Sequence, residues 1–153
     1  MLVSIIIPCY NSEHTIGKVV ELAIQEFEKL ENYECEFVLV NDYSRDGTWN
    51  SIRSLTDRYP NVKGINLAKN FGQHNAIMAA LSQAEGDLIV GMDDDMQNHP
   101  SQIPQFLNKM EEGYDIVFGV FKQRKFSVMK NITGAISRYL LWHLLDRPKD
   151  IQM

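Results

Sequence analysis

"DLIVGMDDDMQNHP", from Asp87 to Pro100, decides the fold. A short apolar run ends in three consecutive aspartates and then in Asn98, His99 and Pro100, residues that open a helix. A strand apolar on both faces belongs in a parallel sheet covered by helices on either side, and such sheets bind ligands outside the carboxyl ends of their strands. Asp93, Asp94 and Asp95 therefore fall where a site is expected. Two unit charges about 4 Å apart repel by roughly 4 kcal/mol at an effective dielectric of 20. A divalent cation turns that repulsion into ligation: Asp93 and Asp95 can close on one ion where the chain turns, and Gln97 offers a neutral oxygen. Acids at a helix start also favour the macrodipole, but that explains one of the three and not their attachment to an apolar strand. A calcium loop is excluded, because its required glycine is Asn98 here and its bidentate glutamate is Pro104.

Outward from this stretch, Leu2 to Pro8, Glu36 to Asp42, Val62 to Ala68 and Asp115 to Phe121 read as further strands. Between them, helical spacing links Ile16, Val19, Val20, Ala23, Ile24 and Phe27, then Ile52 and Leu55, then Ile77, Ala80, Leu81 and Ala84, then Ile103, Phe106, Leu107 and Met110. The alternation predicts an α/β fold, a mostly parallel, Rossmann-like sheet flanked by helices in three α/β/α layers. Its strand-end loops are "PCYNS", "NDYSRDGT", "KNFGQ" and "DDDMQNHP". They bring Tyr10 as an aromatic face and Asn11 as a polar reach. Asp42 precedes the helix cap, Ser44 or Asp46, and is placed to accept N–H groups from a nucleobase. Lys69, or the backbone at Gly72, can touch phosphate at a helix start. His74 and His99 lack metal-ligand spacing and read as surface or supporting residues.

The 153 residues are one domain's worth, with 44% apolar and 23% charged residues, ordinary for a globular protein. No run approaches the roughly 20 apolar residues that span a bilayer. Cys9 and Cys35 lack CxxC spacing and read as reduced thiols, which predicts a cytoplasmic location. Charge is uneven: residues 1–115 carry 8 Lys/Arg against 18 Asp/Glu, while residues 116–153 carry 7 against 2. The acidic strand-end edge argues against a nucleic-acid partner. Lys122, Arg124, Lys125 and Lys130 precede "GAISRYLLWHLL", a cationic amphipathic stretch with Tyr139 and Trp142. Residues 122–147 thus read as an element that lies on an anionic membrane surface, peripheral at its inner face, or as a core-packing helix with a solvated charged face.

Together these loops resemble the family 2 glycosyltransferases of the GT-A fold. "SIIIPCYN" is similar to the family's opening strand, "VNDYSRDGT" to its "DDGSxDGT" loop, and "MDDDMQNHP" to the "DADLQxPP" of members that use polyprenyl phosphates. "KNFGQHNAIMAAL" resembles those members' asparagine-glycine turn and small-residue helix. Asn41, Ser12 and Tyr43 depart from the pattern, standing where relatives of the dolichyl-phosphate mannosyltransferase type have Asp, Glu and Gly. The resemblance implies an inverting, metal-dependent transfer of a sugar from a nucleoside diphosphate of the UDP or GDP type. The acceptor would be a polyprenyl phosphate or a sugar. Pro8, Tyr10, Asn11, Asp42, Gly72 and Lys122 would contact the donor, with Asp93 and Asp94 lining its diphosphate and ribose. Asp93, Asp95 and Gln97 would hold Mg²⁺ or Mn²⁺, and Asp95 would be the catalytic residue through that ion. By this pattern residues 1–121 form the nucleotide-sugar core, and residues 122–153 a basic helical extension of the same domain, cut short of the acceptor-closing segment.

The implied chemistry neutralises charge on a departing diphosphate. An attacking sugar hydroxyl needs a general base, and no Asp or Glu after Asp115 suits that role. A phosphate monoester, with a second pKa of about 6, attacks already ionised. Two other readings remain open. A sugar-phosphate nucleotidyltransferase requires a Gly-rich basic loop after the first strand, which "PCYNSEHT" lacks. A catalytically silent nucleotide-sugar-binding module is distinguished by affinity without turnover.

Overall fold

The computed structural model describes residues 1–119. Four strands, β1 (Leu2–Cys9), β2 (Glu34–Asn41), β3 (Val62–Asn66) and β4 (Leu88–Gly91), form one sheet in the order β3-β2-β1-β4. Every pair is parallel: Leu2 to Cys9 align with Glu34 to Asn41, Phe37 to Asn41 with Val62 to Asn66, and Val3 to Ile6 with Leu88 to Gly91. Helices α1 (Ile16–Phe27), α2 (Thr48–Arg58) and α3 (Gln73–Leu81) connect the strands, and a 3₁₀ turn (Pro100–Gln102) leads into α4 (Ile103–Glu111). The chain builds outward from β1 through β2 to β3, then returns to place β4 on the other side of β1. That reversal is the switch point at which such sheets open a crevice.

Alternation along the strands sorts side chains between two cores. Val3, Ile5, Ile7, Phe37 and Leu39 pack with the buried faces of α1, α2 and α4, which include Val19, Val20, Ile52, Ile103 and Leu107. Ile6, Val38 and Val40 face the other way, onto Ala76 and Ala80 of α3. This is the α/β/α layering expected from the sequence. In α3 the sheet-facing residues are the small alanines, while Leu81 is 39% exposed and Ala84 lies past the helix end. Of the expected stripe Ala80 is buried and Ile77 and Ala84 pack against this core, with Ala76 joining them and Leu81 left out.

The predicted strand from Asp115 to Phe121 is not formed over residues 115–119, and its last two residues lie outside those described. Ile116 is 68% and Phe118 80% exposed. A strand exists through its ladder, and an apolar run without a neighbouring strand lacks the hydrogen bonds that define one.

The amino end of the sheet is tied by an ionic cluster. Glu36 on β2 is buried and accepts hydrogen bonds from Ser4 Oγ at 2.5 Å and Glu85 N at 2.6 Å, and pairs with Lys63 Nζ at 2.9 Å. Ser4 Oγ in turn accepts Gly86 N at 2.8 Å. Gly86 is needed there, since a Cβ would lie 2.6 Å from the Ser4 backbone nitrogen. Burial opposes ionisation of Glu36, but the bonds from Ser4, the Glu85 amide and Lys63 outweigh it and hold the carboxyl below its usual range. A depressed folded-state pKa stabilises the fold above the unfolded value, and that contribution disappears as the pH falls through the folded value. Glu36→Gln is accordingly expected to lower the urea midpoint at pH 7. The gap between wild type and variant should close below about pH 4, under the ordinary carboxylate range. A gap that stays constant across that range would show that the charge on Glu36 contributes nothing.

Candidate active site

The carboxyl ends of β1, β2 and β4, with the loop between β3 and α3, enclose an open cavity of about 510 Å³, within the roughly 300–1,000 Å³ of small-molecule sites. Pro8, Cys9 and Tyr10 come from β1, Asp42 from the end of β2, Asn70, Gly72 and Gln73 from the β3–α3 loop, and Asp93, Asp94 and Asp95 from the end of β4. Of the residues singled out from the sequence, Pro8, Tyr10, Asp42, Gly72 and the three aspartates meet in this one wall. Asn11 and Gln97 do not line it. Lys122, the tail to residue 147 and the 122–153 extension lie outside the described residues.

The three acids are held apart by different partners. Asp93 accepts Gln73 Nε2 at 3.3 Å and Asn98 Nδ2 at 3.0 Å. Asp94 Oδ2 accepts Tyr10 N at 2.9 Å, joining the ends of β4 and β1. Asp95 Oδ1 accepts Gln97 N at 2.9 Å, closing a local turn in which Met96 has a φ of 63°. Among the described residues none of the three pairs with a Lys, Arg or His. Among these residues, too, no trio of His, Cys, Asp or Glu converges to form a closed metal cage. Oδ1 of Asp94 and Oδ2 of Asp95 receive no donor among the described residues and remain as acceptors at the cavity. One or two carboxylate oxygens open to solvent suit Mg²⁺ or Mn²⁺, hard cations that complete their shells with phosphate oxygens and water.

The loops after β1 and β2 are zipped together. Asn11 N donates to Ser44 Oγ at 3.0 Å, Ser12 N to Thr48 Oγ1 at 2.7 Å, and Glu13 N to Asp46 Oδ2 at 3.2 Å. In the other direction, Arg45 N donates to Asn11 Oδ1 at 2.9 Å and Gly47 N to Glu13 Oε2. Asn11 thus spends its side-chain oxygen on the neighbouring loop. The N-cap of α2 is Gly47 and not the expected Ser44 or Asp46, but Asp46 accepts Thr48 N at 3.0 Å at the helix start, and this bond lies among several that hold its carboxyl below its usual range against the effect of burial. Tyr43 has a φ of 57°, a left-handed conformation that a glycine adopts without cost, and its ring is exposed. Cys9 lines the cavity wall, but burial, with the charge of Asp94 adding to it, pushes its thiol far up. It is a neutral packing group. Burial likewise raises Cys35 to about 11. The sequence gives no sign of Gln73 and Asn98, two carboxamides that hold Asp93, because their role depends on loops brought together by the fold.

The sheet order, the helix layers and the acid-lined crevice at the switch point define a GT-A fold built around a small-molecule site. The chain belongs to the glycosyl transferase family 2, whose family model matches residues 4–147. An undecaprenyl-phosphate 4-deoxy-4-formamido-L-arabinose transferase from Shewanella sediminis is 40% identical over 140 residues, 91% of this chain and 42% of that protein. The chain thus spans less than half the length of this relative. Among solved structures, S. aureus TarS 1-349 in complex with UDP superposes with a TM-score of 0.60 at 25% identity, over 80% of this chain and 40% of that one. A mannosyltransferase from Pyrobaculum calidifontis in complex with GDP-Man and Mn²⁺ gives a TM-score of 0.53 at 28% identity, over 61% of this chain and 27% of that one. No helix among the described residues is long and apolar enough to cross a membrane.

Proposed function

We propose that this chain carries the donor-binding part of an inverting glycosyltransferase, which moves a sugar from a nucleoside diphosphate to a polyprenyl phosphate. The observation that carries the reading is the cavity at the β1–β4 switch point, where acceptor oxygens of Asp94 and Asp95 lie beside Tyr10 and the Gly72 loop. Support for the acceptor comes from the relative named for its undecaprenyl-phosphate substrate, and support for a nucleotide donor from the neighbours solved with UDP or GDP-Man.

In this reading Pro8, Tyr10 and the Asp42 wall form the nucleoside end of the cavity. Asp93 and Asp94 face the ribose and diphosphate, and Asp95, whose turn is closed by Gln97 N, holds Mg²⁺ or Mn²⁺. The ion, when bound, supplies charge neutralisation on the leaving diphosphate. Asp95 fixes where that charge is met. Asp94, anchored by the Tyr10 amide, keeps the nucleoside wall in register with the acids. The bond from the anomeric carbon to the diphosphate oxygen breaks as a bond from the acceptor phosphate oxygen forms on the opposite face. The acceptor phosphate, largely ionised at neutral pH, needs no proton removed. The sequence of residues 122–147, basic and rich in apolar side chains, supports binding of this stretch to anionic lipid, where a membrane-borne acceptor is found.

Calorimetric titration of the full chain with UDP and with GDP, each with and without Mn²⁺, tests the reading. Binding of one nucleotide only in the presence of the ion is expected, and it also names the base. Failure of folded protein to bind either nucleotide would reject it.

A further inference from the structure

Asp42 is the most buried of the four aspartates at the site. It is 4% exposed. Oδ1 accepts Phe71 N at 2.7 Å and Oδ2 accepts Gly72 N at 2.9 Å, so both oxygens meet successive amides of the β3–α3 loop. The Asp42 carbonyl accepts Asn70 Nδ2 at 3.1 Å, and its own amide donates to Cys9 O at 2.9 Å, fixing it to the end of β1. Gly72, the second donor, has φ 86° and ψ 157°, a region open essentially to glycine alone, which turns the chain from these two amides into α3. One residue further on, Gln73 reaches across the cavity to Asp93. The β3–α3 loop is therefore a strap, tied to Asp42 at the nucleoside wall and to Asp93 at the acid end.

We propose that Asp42 is a positioning residue for the donor cavity, which it shapes by holding the β3–α3 strap with both carboxylate oxygens, beyond any contact it makes with the nucleobase. The proposal rests on the reading of the cavity as a nucleoside-diphosphate site. Its physical content is that the two ends of the cavity are coupled. Releasing the strap at Asp42 loosens Gln73 and so Asp93, and affinity is lost for the diphosphate as much as for the base. Charge-assisted bonds to backbone amides are the stronger class of hydrogen bond, and a carboxylate that accepts two of them fixes the loop before any ligand arrives.

Asp42→Asn separates the alternatives. Asparagine offers one oxygen and turns its NH₂ toward the second amide, setting donor against donor. Amide hydrogen exchange at Phe71 and Gly72, followed by NMR on the full chain, is expected to rise about tenfold or more, in line with the loss of a charge-assisted bond. Affinity for inorganic pyrophosphate with Mg²⁺, which carries no base, is expected to fall by the same factor as affinity for whichever of UDP or GDP the wild type binds. Retained pyrophosphate affinity beside a weakened nucleotide would overturn the proposal, because it would mean that Asp42 serves the base end alone. So would unchanged exchange at the two amides. Gly72→Ala leaves the Asp42 carboxylate intact while denying the loop its backbone conformation, and covers the case in which Asp42→Asn fails to fold. It should reproduce the parallel loss, and undiminished binding of both probes would also overturn the proposal. If the wild type binds neither nucleotide, the functional reading fails, and exchange at Phe71 and Gly72 still decides whether the strap is held by Asp42.

Discussion

Asp95→Ala removes ion-dependent nucleotide binding, with affinity for UDP or GDP in the presence of Mn²⁺ falling at least about a hundredfold, or roughly 2.7 kcal/mol. Asp95 is exposed at the cavity, and its only hydrogen bond among the described residues comes from Gln97 N. The loss to folding is then that of one turn bond, about 1 kcal/mol. The loss to binding is larger, because the carboxylate that meets the ion beside the diphosphate is gone. Asp95→Asn separates charge from shape: an asparagine oxygen can still accept Gln97 N and keep the turn. It should unfold like the wild type and bind nucleotide almost as poorly as the alanine variant. Unchanged affinity in either variant would remove Asp95 from the ligand set.

Phe37→Ala is expected to cost about 3–5 kcal/mol of stability without altering the site. Phe37 is fully buried in the centre of β2, where it packs into the core shared with α1, α2 and α4. Truncation exposes no new polar group but leaves a ring-sized void between close-packed layers, which the surrounding helices fill only in part. Globular domains have about 5–15 kcal/mol in total, so the variant forfeits a large share. Chemical denaturation should show a much lower midpoint with an unchanged slope. Nucleotide affinity measured on the folded fraction should match the wild type, since Phe37 lies several residues before Asp42 on the same strand. A weakened affinity would show that packing in the middle of β2 is transmitted to its carboxyl end.

What the sequence discloses follows the range of the forces involved. β1 and β2 are legible because a strand covered on both faces must be apolar through its middle, and Ile5 to Ile7 and Phe37 to Val40 are. The convergence of Pro8, Tyr10, Asp42, Gly72 and the three aspartates follows from the same fact, since parallel strands carry their loops to one edge. The stretch from Asp115 to Phe121 has the same composition, yet residues 115–119 make no strand. A strand also requires a neighbour, and local sequence does not name one. The partners of Asp42 and Asn11 are illegible for a related reason. Each side chain is polar, sits at a strand end and is suited to a ligand. Only the folded backbone reveals that the amides of Phe71, Gly72 and Arg45 reach those oxygens first.

The zipped loops after β1 and β2 have a mutational corollary. Asn11, Ser12 and Glu13 on one side and Ser44, Asp46 and Thr48 on the other satisfy each other's backbones in both directions. A change of a bonding side chain on either side therefore removes a partner from the backbone of the other. The β3–α3 strap is anchored through the amides of Phe71 and Gly72 and the side chains of Asn70 and Gln73, while the side chains of Lys69 and Phe71 are exposed. A new side chain at Lys69 or Phe71 breaks none of these bonds.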